Sequence, residues 1–198
     1  MIEFSVEGLQ QVQDEINNRL REFETDKFVT VGIHESDSGR DSDEITNAQL
    51  GATMEFGAEI DHPGGTSYGY ATQRDAENGA VRFLKSGQGF MELGRTSPHK
   101  ITIPARPWLY PGVESGSLQY VQALERAVND GKSLQESLEI VGVIAVASVR
   151  KYMTDLRTPP NASSTIRKKG SSNPLIDSGS LRGSVDAVVQ NTEPTEGL

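Results

Sequence analysis

Between Ser133 and Pro159 lies the stretch that most restricts what this chain can build. Leu138, Val141, Ile144, Ala145, Val149 and Tyr152 recur at helical spacing, and Ile140, Val143 and Val146 add apolar groups on the flanking faces. A helix apolar around much of its girth is buried on several sides. In a chain of 198 residues that makes it a central helix or a subunit contact, and the central position is preferred. Ser133 and Glu136 form a capping box that starts it, and it runs to about Leu156 before Pro159-Pro160 ends it.

Other segments must supply the layers around that helix. Leu9, Val12, Ile16, Leu20 and Phe23 lie on one stripe and predict an amphipathic helix over residues 6–24. Phe28 to Ile33 is short and β-branched and predicts a strand. Thr46 caps a short helix from Asn47 to Phe56 that stops at Gly57. Residues 61–80 are rich in Gly, Tyr, Thr and Asp and read as a long inserted loop. Ala80–Leu84, Gly89–Leu93 and Lys100–Ile103 read as three short strands. Pro104, Pro107 and Pro111 stiffen an extended connection, after which Leu118, Val121, Leu124 and Val128 mark a helix ending near Asp130-Gly131. Residues 158–174 read as a linker, Leu181 to Val189 as a short helix or strand, and the final residues as a frayed end. The expected class is α+β: a small, mostly antiparallel sheet packed with an N-terminal helix and a long central helix, with extended loops or arms. The expected division is a core at 1–157 with the inserted loop at 61–80, followed by a linker and arm at 158–198.

Charge and composition narrow the function classes. Residues 1–100 carry 18 Asp and Glu against 9 Lys and Arg, whereas residues 101–198 carry 10 of each. An acidic first half does not grip phosphates, because nucleic-acid affinity comes largely from basic neutralisation; it suits a surface past which duplex DNA slides. The absence of cysteine excludes disulfides, thiolate nucleophiles and Cys-ligated metals. The most apolar run, Ile140 to Val149, is too short to span a bilayer, and Met1-Ile2-Glu3-Phe4 lacks the basic start of a secretory signal. A soluble cytoplasmic product without membrane contact is expected.

Motifs for chemistry are weak. His34, His62 and His99 lie at strand ends or in loops without ligand spacing, so no metal site is expected. The acidic run 35–44 does not follow the spacing of a calcium loop and reads as solvated. Gly65-Thr66-Ser67-Tyr68-Gly69 matches a nucleophile elbow, with Asp75 and His99 following in hydrolase order. That elbow needs a buried strand before it and a helix after it, and neither Asp61–Gly64 nor Tyr70–Gly79 has the pattern. Gly87-Gln88-Gly89 reads as a turn, and Arg167-Lys168-Lys169 as the one basic cluster.

Three segments together carry a resemblance. Val31-Gly32-Ile33 is followed by Thr46 to Gly57, which ends in Glu55-Phe56-Gly57; then comes Ile103-Pro104-Ala105-Arg106-Pro107-Trp108-Leu109; then Asn173-Pro174-Leu175-Ile176-Asp177-Ser178-Gly179-Ser180-Leu181-Arg182. In this order they resemble the tail-completion and neck proteins of tailed phages, the broad group related to lambda-like minor tail protein Z and Mu-like virion morphogenesis proteins. Ser178 stands where that group usually has Thr and keeps the hydroxyl. The resemblance spans residues 28–189 and is most specific in its last two segments.

It implies a structural virion protein rather than an enzyme, with no catalytic residue and no cofactor. The implied role is a homo-oligomeric, hexameric ring that completes the tail and joins it to the head, made in the host cytoplasm and resident in the virion. The implied partners are head-closure, terminator or tail-tube proteins, and duplex DNA passes through without sequence-specific binding. A tail terminator or head-closure protein is the nearest alternative, and a small hydrolase or a DNA-binding adaptor the more distant ones. Arg106, Trp108, Tyr110, Asp177, Ser178 and Arg182 are the expected interface residues. Arg106 is read either as a fork for a carboxylate or as a surface arginine beside a buried Trp108. Asp177 to Gly179 is read as a turn or helix cap.

Overall fold

The computed structural model describes residues 13–18, 21, 26–34, 39, 45–85 and 88–192. Residues 13–18 and 21 are helical and exposed; the rest of the helix expected over 6–24 lies outside the described residues. So does the acidic run 35–44, apart from Gly39. The chain forms two compact units, one from residues 1–56 and 105–198 and the other from Gly57–Pro104.

The first unit contains β1 (Phe28–Gly32), α1 (Asn47–Phe56), α3 (Leu109–Glu114), α4 (Ser117–Asn129), α5 (Leu134–Asp155), α6 (Ser163–Lys169), α7 (Ser180–Gly183) and β7 (Asp186–Gln190). As expected, α5 is its axis. Ser137, Gly142, Ala145, Val146, Val149 and Met153 are all buried along it. Helices α3 and α4 pack on α5, and so does the antiparallel pair β1–β7, in register from Phe28↔Gln190 to Gly32↔Asp186. Two glycines set these approaches. A Cβ on Gly112 would lie 3.0 Å from Val149 Cα, and one on Gly142 would lie 3.0 Å from Ala187 Cβ. The core gathers Trp108, Val146, Val149, Met153, Leu175, Leu181 and Val185. Each buried aliphatic of that size contributes about 1.5–3 kcal/mol.

The start of α5 bears out the capping box. Ser133 Oγ accepts from the Glu136 N–H at 3.2 Å, and Glu136 Oε2 accepts from the Ser133 N–H at 3.0 Å. The backbone and hydroxyl bonds from Ser133 hold the Glu136 carboxyl below its ordinary value. A carboxyl depressed in the folded state stabilises above its unfolded value, and that stability is lost as pH falls through the folded value. Ser133→Ala removes the hydroxyl that accepts from the Glu136 N–H and should lower stability by about 1 kcal/mol near neutrality, the usual cost of losing an N-cap. The difference from the parent should shrink as pH falls through the lowered Glu136 value; thermal melts of both chains along an acid series check this.

One expectation is corrected here. Residues 158–192 are not a linker and arm. Leu175, Leu181 and Val185 are core residues, β7 completes the only sheet of this unit among the described residues, and 163–169 is helical. The polar composition of the segment hides three widely spaced apolar anchors. On α4, Leu118, Val121 and Val128 are exposed, while Ala127 is buried and Ala123 and Leu124 are half-buried. The stripe that marks the helix in sequence is thus mostly an outer face.

The second unit contains β2 (Ala58–His62), β3 (Ser67–Tyr70), α2 (Gln73–Glu77), β4 (Arg82–Phe83), β5 (Met91–Arg95) and β6 (His99–Ile103). β2 pairs antiparallel with β6, and a second sheet has the order β4-β3-β5. The three strands expected near 80–103 are present as β4, β5 and β6. The expected loop 61–80 instead holds β3 and α2, the latter started by a Thr72–Asp75 capping box. A bulge falls between Tyr68 and Gly69, and a Cβ on Gly69 would collide with the Met91 carbonyl oxygen. Gly69 is the only buried residue of this unit among those described. Val81, Phe83, Phe90, Met91 and Leu93 are all exposed. Among the described residues no helix is long and apolar enough to cross a membrane.

Candidate functional site at the junction of three segments

Glu55 sits on the last turn of α1, and its carboxylate reaches the start of α3. Oε2 accepts from the Trp108 N–H at 2.6 Å and the Leu109 N–H at 2.9 Å, and Oε1 from the Tyr110 N–H at 3.5 Å. The first N–H groups of a helix have no partner within it, and a negative charge there also suits the helix dipole. Trp108 at the N-cap position offers no side-chain acceptor, so a residue more than fifty positions earlier supplies one. Two further bonds bind the same segments. The Arg106 N–H donates to Met54 O at 2.6 Å, and Trp108 Nε1 donates to Gly51 O at 3.0 Å. A Cβ on Gly51 would lie 3.1 Å from the Trp108 ring, so the glycine admits the indole.

Arg106 ties this pair to the chain beyond α5. Its Nε donates to Pro159 O at 2.9 Å and its Nη2 to Pro160 O at 3.1 Å. The Thr158–Pro159 peptide is cis. Burial pushes the Arg106 guanidinium below its ordinary value. Lys169 lies nearby: burial pulls it down, Asp177 partly restores it, and Arg106 adds to the fall. Its Nζ donates to Asn173 O at 2.7 Å.

Asn173 closes the network. Its amide Nδ2 donates to Met153 O at 3.2 Å and Thr154 O at 2.9 Å, the free carbonyls at the end of α5. Its Oδ1 accepts from the Leu175 N–H at 2.8 Å and the Ile176 N–H at 3.0 Å, forming the turn that drives Leu175 into the core. The third segment returns to the first through Asn47, whose Nδ2 donates to Ser180 Oγ at 3.1 Å. Arg182 Nη1 donates to Thr154 Oγ1 at 3.2 Å.

The three segments quoted from the sequence thus meet at one place, the C-terminal half of α5. Their polar groups are engaged with backbone or, at Asn47–Ser180 and Arg182–Thr154, with one another's side chains, so the chemistry of the junction is that of a clasp. This decides several expectations. Arg106 and Trp108 retain only 6% and 2% exposure, so neither can meet a partner without unfolding. The Arg106 fork holds two prolyl carbonyls, not a carboxylate, because the extended Pro104–Pro107 backbone aims it inward. Tyr110, Asp177 and Ser178 are exposed, and Arg182 is half-buried. Ser178 accepts from the Ser180 N–H at 3.3 Å, consistent with the turn read for that segment.

The remaining motifs separate. Ser67 opens β3 and the chain continues as strand to Tyr70, where an elbow would turn into a helix. Gly65 and Gly69 serve a turn at φ 82° and a bulge. Asp75 is held by Thr72 and Arg82, and these bonds, the Thr72 hydroxyl first, keep it below its ordinary value. Arg167 and Lys168 lie on the last turn of α6, where cations complement the carbonyl end.

Sequence reasoning missed one pairing. His62 and His99 are register partners on β2 and β6, with ring centroids 4.9 Å apart. Only strand register brings them together, and no local spacing announces it. The Gly64 N–H donates to His62 Nδ1 at 3.0 Å, which in a neutral ring leaves the proton on Nε2 and no lone pair for a metal. Among the described residues no three His, Asp or Glu side chains are grouped to hold an ion. Glu55, Asn47 and Asn173 were also missed as functional positions. Asn before Pro, with an apolar residue beyond, is the turn signal that marks Asn173. No protein-family model matches the chain, and neither a curated protein nor a solved structure matches it.

Proposed function

We propose that the chain is a structural ring subunit of a tailed bacteriophage, placed at the neck or the head-proximal end of the tail, where it completes the tail and joins it to the head. The observation that carries this reading is the convergence of the three resembling segments. Glu55, Arg106 and Asn173 are far apart in sequence and form one clasp, as residues retained for architecture would. The second unit supports the assembly part of the reading. It buries almost nothing of its own and exposes Phe83, Phe90, Met91 and Leu93, apolar surface that a neighbour in an assembly would cover. The acidic balance of residues 1–100 suits a channel that DNA passes without adhering.

Electron microscopy and light scattering of the purified chain, alone and mixed with head-closure and tail-tube proteins, test the proposal. Rings with an open centre are expected, together with no salt-sensitive binding of duplex DNA. A chain that stays strictly monomeric in both conditions overturns it.

A further inference from the structure

Beside α5 and β7 runs an open groove of about 700 Å³. Apolar side chains run along it, with Val143 and Val188 70% and 40% exposed beside Val146, Ala147 and Ala187, and Gln135, Glu139, Arg150 and Asp186 line it as well. Four consecutive residues of β7, Asp186 to Val189, line it, so it follows the edge of the strand and not only one face. Among the described residues β7 pairs with β1 alone, which leaves that edge open. Cover by a helix is one of the ways such an edge is protected from unwanted pairing.

The sequence predicts a helix of matching size over residues 6–24. The groove follows α5 from Gln135 to Arg150, about 22 Å at 1.5 Å per residue. The apolar stripe expected on that helix, Leu9 to Phe23, would span about 21 Å at the same rise. The segment also reaches the first unit at one end of the groove, where Lys27 Nζ donates to Gln135 Oε1 at 2.9 Å. Yet the described part of that segment is not buried within its own chain. Residues 13–18 are all exposed, Ile16 retains 48% exposure, and Val143 is open.

We propose that the groove between α5 and β7 receives the apolar stripe of the N-terminal helix of a second copy of this chain. A helix laid in a groove with anchors three and four residues apart is a common mode of recognition. Handing the helix from each copy to the next gives a head-to-tail contact, the kind that closes into rings. This deepens the ring reading and rests on it only in requiring a second copy.

Freedom from cysteine makes a clean test possible. Ile16 is the midpoint of the stripe and Val143 lies near the midpoint of the groove, so the two face each other whichever way the helix runs. Both side chains are exposed, so Ile16→Cys and Val143→Cys spare the core. Mixing the two single variants under mild oxidation should give a disulfide-linked dimer, about tenfold more than either variant alone, because docking holds the thiols at high effective concentration. Val188→Cys in place of Val143→Cys samples the other wall. An oligomeric chain in which Ile16→Cys links to neither wall overturns this proposal and leaves the ring reading standing. So does a double variant that links only within itself. A chain that is monomeric throughout overturns both.

Discussion

Trp108→Ala should be the most damaging single change, lowering stability by about 3–5 kcal/mol. The indole is 2% exposed, belongs to the core with Val149 and Met153, and lies over Gly51, so its removal opens a large void in the core. The change also removes the bond from Nε1 to Gly51 O. Trp108→Phe separates the two effects: it keeps most of the ring and loses the donor, and about 1–2 kcal/mol should go with it. Chemical denaturation of the three chains checks both values. Equal losses from Ala and Phe would mean that the hydrogen bond, not the packing, holds this corner.

Asn173→Ala should follow, at about 2–4 kcal/mol, because one side chain serves four backbone groups and its removal takes a partner from each, leaving Thr154 O only its bond from Arg157 Nη1. Asn173→Asp is the more informative change. A carboxylate still accepts from the Leu175 and Ile176 N–H groups, but it faces the Met153 and Thr154 carbonyls at the negative end of α5. Its damage near neutrality should approach that of Ala and should ease as the pH is lowered toward protonation of the new acid. Denaturation midpoints at pH 7 and pH 4 read the difference; an Asp variant as stable as the parent at pH 7 would show that the α5 carbonyls do not need Asn173.

The elements that were legible in the sequence are those whose ends are written locally. Thr46 and Gly57 bracket α1, Ser133 and Glu136 start α5, and Gly131 follows α4, each through chemistry confined to a few neighbouring residues. The girth of α5 likewise announces its burial, though Val143 escapes it. What could not be read depends on distant partners. Residues 158–192 look like a linker because Leu175, Leu181 and Val185 are separated by polar turns, and only Asn173 and the β1 ladder place them in the core. Arg106 is charged and flanked by prolines, a surface signature, until Pro159 and Pro160 supply its acceptors. The expected interface residues therefore divide by environment, with Tyr110, Asp177 and Ser178 outward and Arg106 and Trp108 inward. The His62–His99 pair depends on a register that neither strand specifies alone.

The bond from the Arg106 N–H to Met54 O has a consequence of its own. The whole of Gly57–Pro104 leaves and returns between two points that the rest of the chain already holds together. Doubling the length of such an excursion changes the closure entropy by only about 0.6 kcal/mol, so the base is nearly indifferent to what it carries there. The insertion is in that sense an interchangeable cassette. Its sequence is free to follow whatever it meets, while Glu55, Arg106 and Asn173 stay bound to the demands of the base.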